Sequence, residues 1–308
     1  MTILRLGTRR SRLATSQSQW VADLLRDAGH SVELVPLATL GDLDTERPLR
    51  DFGGSGAFAS TLRRALRDGV VDLAVHSLKD VPTAPEEGLV IAAIPRREDP
   101  RDALITRDGV TLGELPSGAR VGTGSLRRRS QLLALGYGLE VHDLRGNVET
   151  RLAAVTSGAL DGVVLALAGL RRLGLTEAVS ETLDPLVMLP APGQGALAVE
   201  TRDDDPAVIA AVSMLEDPDT RACVEAERSL LATLEAGCSA PVGALAEVVE
   251  GMDGLELSLR AFVGAADGSH ELRRSLVGEV HDAAALGARL AGILLEHGAA
   301  DRVGASGR

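Results

Sequence analysis

The chain has 308 residues, is 45% hydrophobic and 25% charged, and carries a formal net charge of −12. Such values describe a soluble globular protein of two or three domains, and the acidic balance excludes a general nucleic-acid or membrane-surface binder. No run of about 18 apolar residues is present, the start MTILRLGTRR lacks a signal-peptide core, and two cysteines are too few for a disulfide framework, so a cytoplasmic protein is expected.

In chain order, residues 3–7 read as a strand, followed by the turn Thr8-Arg9-Arg10. Ser11 is a plausible N-cap for a helix carrying Leu13, Trp20, Val21, Leu24 and Leu25 on one stripe, with Gly29 as its C′ residue. Residues 31–37 form a second strand, which places Arg9 and Ser11 at a strand-to-helix junction of the kind that favours anions. The polar, glycine-rich stretch 39–56 reads as a long lid-like loop. Its GSGAFA (54–59) fits a loose dinucleotide pattern, but no strand precedes it and that reading is rejected. A helix is expected over 57–68 and another strand over 89–94.

Between them lies VVDLAVHSLKDVPT (70–83), on which the chemistry turns. Its half 70–75 reads as a strand buried on both faces, ending in His76, Ser77, Lys79 and Asp80. Open α/β sheets place their ligands at such carboxyl ends. Lys79 is the sole lysine among 32 basic residues, in a chain that otherwise uses arginine throughout. His76 reads as a core residue or as a support behind the site.

PRREDP (95–100) marks a crossover into a second lobe with strands at 103–106, 120–122, 139–144 and 160–167, and helices at 126–135 and 147–157. Two successive lobes of this kind imply parallel-rich sheets. PAPGQG (190–195) reads as a return hinge, with strand 196–200 handed back to the first lobe. From about Asp217 the pattern changes to a helix (220–235), three strands (242–249, 255–263, 271–279) and a closing helix (282–296), a small α+β domain. The division is therefore 1–95 with 196–214, then 100–190, then 218–308.

Arg9, Arg127, Arg128, Arg145, Arg151, Arg171 and Arg172 cluster at element boundaries of the two lobes. Arginine pairs bidentately with carboxylates, so converging arginines in an acidic body suit a substrate with many carboxylates. Cys223 falls inside a helix among Ala222 and Val224 and reads as a small core residue. Cys238 sits in a Gly-Cys-Ser-Ala-Pro turn, which leaves it open between a structural and a reactive role. No C-x-x-C supports a metal site, and none is expected.

Nine stretches, TRRSRLA (8–14), GDLDT (41–45), HSLKDVPT (76–83), REDPRDALI (97–105), VGTGSLRR (121–128), LRGNVETR (144–151), AGLRRLG (168–174), PAPGQGALAVE (190–200) and LEAGCSAPVG (234–243), together resemble the hydroxymethylbilane synthase (porphobilinogen deaminase) family. They run in colinear order. The resemblance implies an α/β fold of two lobes like type II periplasmic binding proteins with a cleft between them, plus the small C-terminal α+β domain. It implies a transferase of heme and tetrapyrrole biosynthesis that joins four porphobilinogen molecules head to tail, releasing ammonia, and then hydrolyses off hydroxymethylbilane. Growth would occur on a dipyrromethane cofactor bound through a thioether to Cys238.

Carried over residue by residue, Asp80 would be the catalytic group, stabilising positive charge on pyrrole nitrogens and assisting proton movement. Lys79, Thr123, Ser125, Arg127, Arg128, Arg145 and Asn147 would bind the cofactor. Arg9, Ser11, Gln17, Phe58, Arg151 and Arg172 would bind substrate. A monomer is implied, with porphobilinogen as its small-molecule partner and neither nucleic acid nor membrane. Asp51 and Ser55 stand where the family often has lysines, Gly124 where it often has Ser, and Arg12 where it often has Pro. A non-catalytic solute-binding or effector-sensing protein on the same fold is the alternative. It predicts an export signal or a DNA-binding domain, neither of which is evident, and it gives Cys238 no role.

Overall fold

The structure is a computed structural model that describes residues 3–38, 59–236, 240–252 and 254–300. The expected lid at 39–56, the GDLDT stretch, Phe58 and Cys238 lie outside these residues. In chain order the strands are β1 (Ile3–Arg9), β2 (Ser31–Leu37), β3 (Leu73–Ser77), β4 (Leu89–Ala93), β5 (Asp102–Thr106), β6 (Arg120–Gly122), β7 (Glu140–His142), β8 (Gly162–Ala166), β9 (Glu181–Thr182), β10 (Leu197–Arg202), β11 (Val242–Glu250), β12 (Leu255–Gly264) and β13 (Glu271–Glu279). The helices are α1 (Arg12–Asp27), α2 (Ser60–Arg67), α3 (Leu126–Ala134), α4 (Val148–Thr156), α5 (Leu167–Arg172), α6 (Pro206–Ser213), α7 (Pro218–Thr233) and α8 (Ala283–Glu296). The chain divides into two compact units, Met1–Glu98 with Gly195–Arg221, and Asp99–Gln194 with Ala222–Arg308.

The first unit is built on a sheet of order β2-β1-β3-β10-β4. β1 runs parallel to β2 and β3, while β10 runs antiparallel to β3 and β4. Alternation along β3 feeds both faces of the sheet. Leu73 and Val75 pack with Val21, Ala22 and Leu25 of α1, whereas Ala74 packs with Leu62 and Leu66 of α2. Gly29 ends α1 at φ +92°, and the amides of Gly29 and His30 reach back to Arg26 and Leu25 carbonyls. Strand β3 starts later than the apolar run suggests. The amides of Val70 and Val71 bond the Ala65 carbonyl to finish α2, which leaves Val70 exposed and moves the strand on through His76 and Ser77.

The second unit repeats that sheet. Its order is β7-β6-β8-β5-β9, with β6 parallel to β7 and β8, and β5 antiparallel to β8 and β9. Each sheet thus carries one reversed strand at the same place, so the two lobes share one strand order. The expectation of parallel-rich sheets needs that correction, because the returning strand β10 and its counterpart β5 run against their neighbours. The same unit holds the antiparallel sheet β11-β12-β13, packed on α7 and α8 through Leu230, Leu234, Leu257, Leu259, Leu286 and Leu290. Glu227 of α7, fully buried, accepts from the Gly193 amide at 2.6 Å and the Ala246 amide at 2.9 Å. Gln131 of α3 clasps Leu189, donating to its carbonyl at 3.1 Å and accepting from its amide at 2.9 Å.

Asp102 opens β5 with no exposed surface and takes four hydrogen bonds. Arg127 Nη1 donates at 2.7 Å, Arg128 donates through Nε at 3.1 Å and Nη2 at 2.7 Å, and Gln194 Nε2 donates at 2.8 Å. The two guanidiniums also donate to the carbonyls of Leu189 and Val164. Burial by itself would push the Asp102 carboxyl up, but Arg127 and Arg128 outweigh it and hold the group well below the usual carboxylate range. Burial pushes the Arg127 guanidinium down, with Asp102 opposing that shift.

Asp102→Asn leaves two buried guanidiniums without counter-charge, and we expect a loss of about 3–5 kcal/mol at neutral pH, read as an earlier denaturant midpoint. Because the folded-state pKa lies below the unfolded one, this stabilisation is present above about pH 4 and fades as pH falls further, so the gap to wild type closes only in acid. A gap that closed near neutrality would contradict the assignment. At Gly287 of α8 an added Cβ would stand 2.2 Å from the Ala226 carbonyl oxygen and 2.9 Å from the Leu230 amide nitrogen, both main-chain atoms of α7. Gly287→Ala should therefore cost about 1–3 kcal/mol, visible as a lower melting temperature.

Candidate active site

The residues of the first unit that the sequence singles out are delivered by the carboxyl ends of β1 and β3. Leu78 is fully buried and its amide donates to the Ala196 carbonyl at 3.0 Å. Val81, 2% exposed, returns its amide to the Leu78 carbonyl at 3.1 Å, which closes a single 3₁₀ turn. Two anchored apolar residues therefore hold the turn, and Lys79 and Asp80 lie between them, half-buried and exposed respectively. Asp80 lines a recess together with Arg9, Gln17, His76 and Ser77, with Ala14, Ala59 and Val75 as its apolar walls. Gln17, itself 5% exposed, donates from Nε2 to Ser77 Oγ at 3.0 Å, which fixes both side chains. Ser11 caps α1, its hydroxyl accepting from the Ala14 amide at 3.3 Å.

Behind the recess is a buried ion cluster that sequence reasoning did not single out. Glu200 of β10 accepts from Arg63 of α2 through Nη2 at 2.8 Å and Nε at 3.1 Å. His76 Nε2 lies 3.2 Å from Glu200 Oε2, close enough for Coulombic attraction but poorly aligned for a hydrogen bond. Burial by itself would push the Glu200 carboxyl up; His76 and Arg63 outweigh it and keep the group below its ordinary value. The one signal in the sequence was an acid closing the apolar run ALAV.

In the second unit the singled-out residues gather at the carboxyl ends of β6 and β7. Thr123 is buried, and its hydroxyl accepts from the Ser125 amide at 3.2 Å. Ser125 in turn caps α3, and Asn147 caps α4, accepting from the Thr150 amide at 2.8 Å. The two helix entrances are neighbours, because an added Cβ at Gly124 would stand 2.8 Å from the Leu144 carbonyl oxygen. That close approach is what glycine permits at a position where a side chain would collide with main chain. Arg145 is half-buried beside this junction in sequence, and Arg151 donates from Nε to the Gly146 carbonyl at 2.9 Å. Arg172 ends α5, while its neighbour Arg171 pairs with Asp99 at 3.3 Å.

Arg127 and Arg128 are less exposed than a surface clamp requires. Both are at least nine-tenths buried and bound to Asp102, whose role the sequence left unread although it sits inside REDPRDALI. The Arg127 Nε–H is buried without a hydrogen-bond partner among the described residues. The cluster also carries two positive charges against one negative. An orphaned donor and an uncompensated charge in the same place suit one carboxylate of a bound group. Cys223 is buried in α7, as its sequence context suggests. Among the described residues no group of His, Cys, Asp and Glu is placed to hold a metal ion, and no helix is long and apolar enough to cross a membrane.

Comparison with known proteins bears on both units. The family model for the porphobilinogen deaminase dipyromethane cofactor binding domain matches residues 4–210, and that for the porphobilinogen deaminase C-terminal domain matches 221–296. A porphobilinogen deaminase of Nocardia farcinica is 57% identical over 97% of this chain and 87% of its own length. One from Mycolicibacterium gilvum is 53% identical over 99% of both chains. Among solved structures, the methionine binding protein MetQ aligns at TM-score 0.42 and 13% identity, covering 69% of this chain and 89% of its own. With both domain models matched in order and relatives above half identity along nearly the whole length, the chain belongs to the porphobilinogen deaminase family.

Proposed function

We propose that Asp80 is the catalytic group of this enzyme, a transferase that joins four porphobilinogen molecules head to tail with release of ammonia and frees hydroxymethylbilane by hydrolysis. The observation that carries the assignment is the turn Leu78–Asp80, which holds an acid at the mouth of a polar recess at the carboxyl end of β3. An ionised carboxylate there stabilises positive charge on a pyrrole nitrogen as ammonia leaves. The same carboxylate accepts the proton that the attacking ring carbon gives up when the ring regains aromaticity. The dipyrromethane cofactor of the family supplies the pyrrole end on which the product grows.

Cys238 is the attachment point in this reading. Its stretch is bounded by the buried residues Leu234 and Ala236 on one side and by Val242, the start of β11, on the other. Arg127 would take one cofactor carboxylate through its orphaned Nε–H, and Arg128 would share the same cluster. Lys79, Thr123, Ser125, Arg145 and Asn147 complete the cofactor set. Arg9, Ser11, Gln17, Phe58, Arg151 and Arg172 bind the acetate and propionate arms of substrate. Ser11, Ser125 and Asn147 contribute mainly by fixing helix entrances whose free amides favour anions. The reading includes a three-domain division at 1–95 with 196–214, 100–190 and 218–308, and a cytoplasmic monomer that binds no nucleic acid.

Denatured intact mass is the first test. The wild-type protein should carry two covalently attached pyrrole units, and Cys238→Ala should carry none and be inactive. Asp80→Asn should keep the adduct while turnover of porphobilinogen falls by at least about a hundredfold, the scale of a positioned acid–base group. An unmodified thiol at 238 in active wild-type protein, or near-normal turnover in Asp80→Asn, would overturn the respective assignment.

A further inference from the structure

Leu189, the residue that leads into PAPGQG, is gripped from two sides. Its side chain packs with Leu245 of β11 and Phe262 of β12, and its main chain is clasped by Gln131 of α3. We propose that Gln131 and Arg273 of β13 are positioning residues for the cofactor: they form a relay from the C-terminal sheet to the Leu189 carbonyl, which aims the guanidinium of Arg127 at a cofactor carboxylate.

The relay is continuous, and each member is held by its neighbours. Arg273 is half-buried and lies over the ring of its cross-strand partner Phe262, 5.0 Å from the ring centre. It donates from Nη1 to the Leu186 carbonyl and from Nη2 to Gln131 Oε1, each at 3.1 Å. Gln131 Oε1 also accepts from the Leu189 amide at 2.9 Å. Arg273 and that amide can only donate, so the carboxamide must turn its oxygen to them and its nitrogen to the Leu189 carbonyl, 3.1 Å away. The same carbonyl accepts from Arg127 Nη1 at 2.7 Å, and Asp102 Oδ2 accepts from that nitrogen at 2.7 Å as well. A guanidinium is planar, so two acceptors on one terminal nitrogen fix its plane and with it the direction of Nε–H. That Nε–H is the buried donor without a hydrogen-bond partner among the described residues. With Asp102 alone the group could pivot about a single contact, and the carbonyl held by Gln131 removes that freedom. The sheet that grips Leu189 begins with β11, which follows Cys238 in sequence, so one frame serves the arginine and the stretch that carries the thiol.

The inference rests on the cofactor reading proposed above, and the two can fail separately. Wild-type protein with its adduct should melt at a higher temperature than Cys238→Ala, which carries none. In Arg273→Met that gain, measured against the same variant combined with Cys238→Ala, should shrink by about 3–6 °C, the scale of one charge-assisted hydrogen bond in a unit of this length. Gln131→Met should lose as much, and the double variant no more than the larger single loss, because both residues act through one carbonyl. A purely structural role lowers the melting temperature of loaded and bare forms alike and leaves the gain at its wild-type value. That result overturns the inference, as do losses that add in the double variant, or a loaded wild type no more stable than Cys238→Ala. Should the buried Gln131 variant fold poorly, the half-buried Arg273 position decides the matter by itself. Wild-type protein that shows no adduct by denatured intact mass would instead sink the cofactor reading.

Discussion

The second unit depends on a carboxylate that water cannot reach. Asp102 lies at the head of β5 with two guanidiniums, a carboxamide and no solvent around it. In a low-dielectric interior such charges are tolerated only when they compensate one another and their donors and acceptors are filled. That condition fixes where the first turns of α3 can lie, because Arg127 and Arg128 must both reach one carboxyl group. It also ties the end of the PAPGQG segment to the same point through Gln194. The cluster has one cation more than it can neutralise internally, so an interaction that organises the fold also leaves a place for an anion.

The first unit solves the same problem in the corresponding strand. β10 and β5 are the reversed strands of two sheets with equal order, and each carries a buried acid facing arginine from a helix. Near Glu200 the third member is a histidine rather than a second arginine, its Nε2 3.2 Å from the carboxylate. The turn residues of the lobes create helix entrances, at Ser11 in one unit and at Ser125 and Asn147 in the other. Capping serines and asparagines use their side chains on the first free amides, leaving the remaining N–H groups and the dipole for a ligand. Under the function proposed above, such entrances let an acidic chain of net charge −12 accept a polycarboxylate.

Several features were legible in the order of residues alone, because their causes are local. Alternation and stripe spacing gave β1, α1, β2 and the three C-terminal strands nearly to the residue, and Ser11, Ser125 and Asn147 cap helices as their neighbours suggest. The polar end of the 70–83 stretch, the rarity of lysine and the nine colinear motifs led to Asp80, to Cys238 and to the family. What the linear chain hid was pairing at a distance. Nothing in the spacing tells that Asp102 meets Arg127, Arg128 and Gln194, or that Glu200 meets Arg63 and His76, since these contacts span up to 137 residues. The start of β3 was misjudged for a related reason. Val70 and Val71 have strand-like side chains, but their amides are taken by the carbonyl that ends α2. Residue type thus determined which groups this protein brings to its chemistry, carboxylates and guanidiniums. Only the tertiary structure decided which charges are spent on one another inside the lobes and which are left over, because burial, and with it the strength of every charge, is a property of the folded chain.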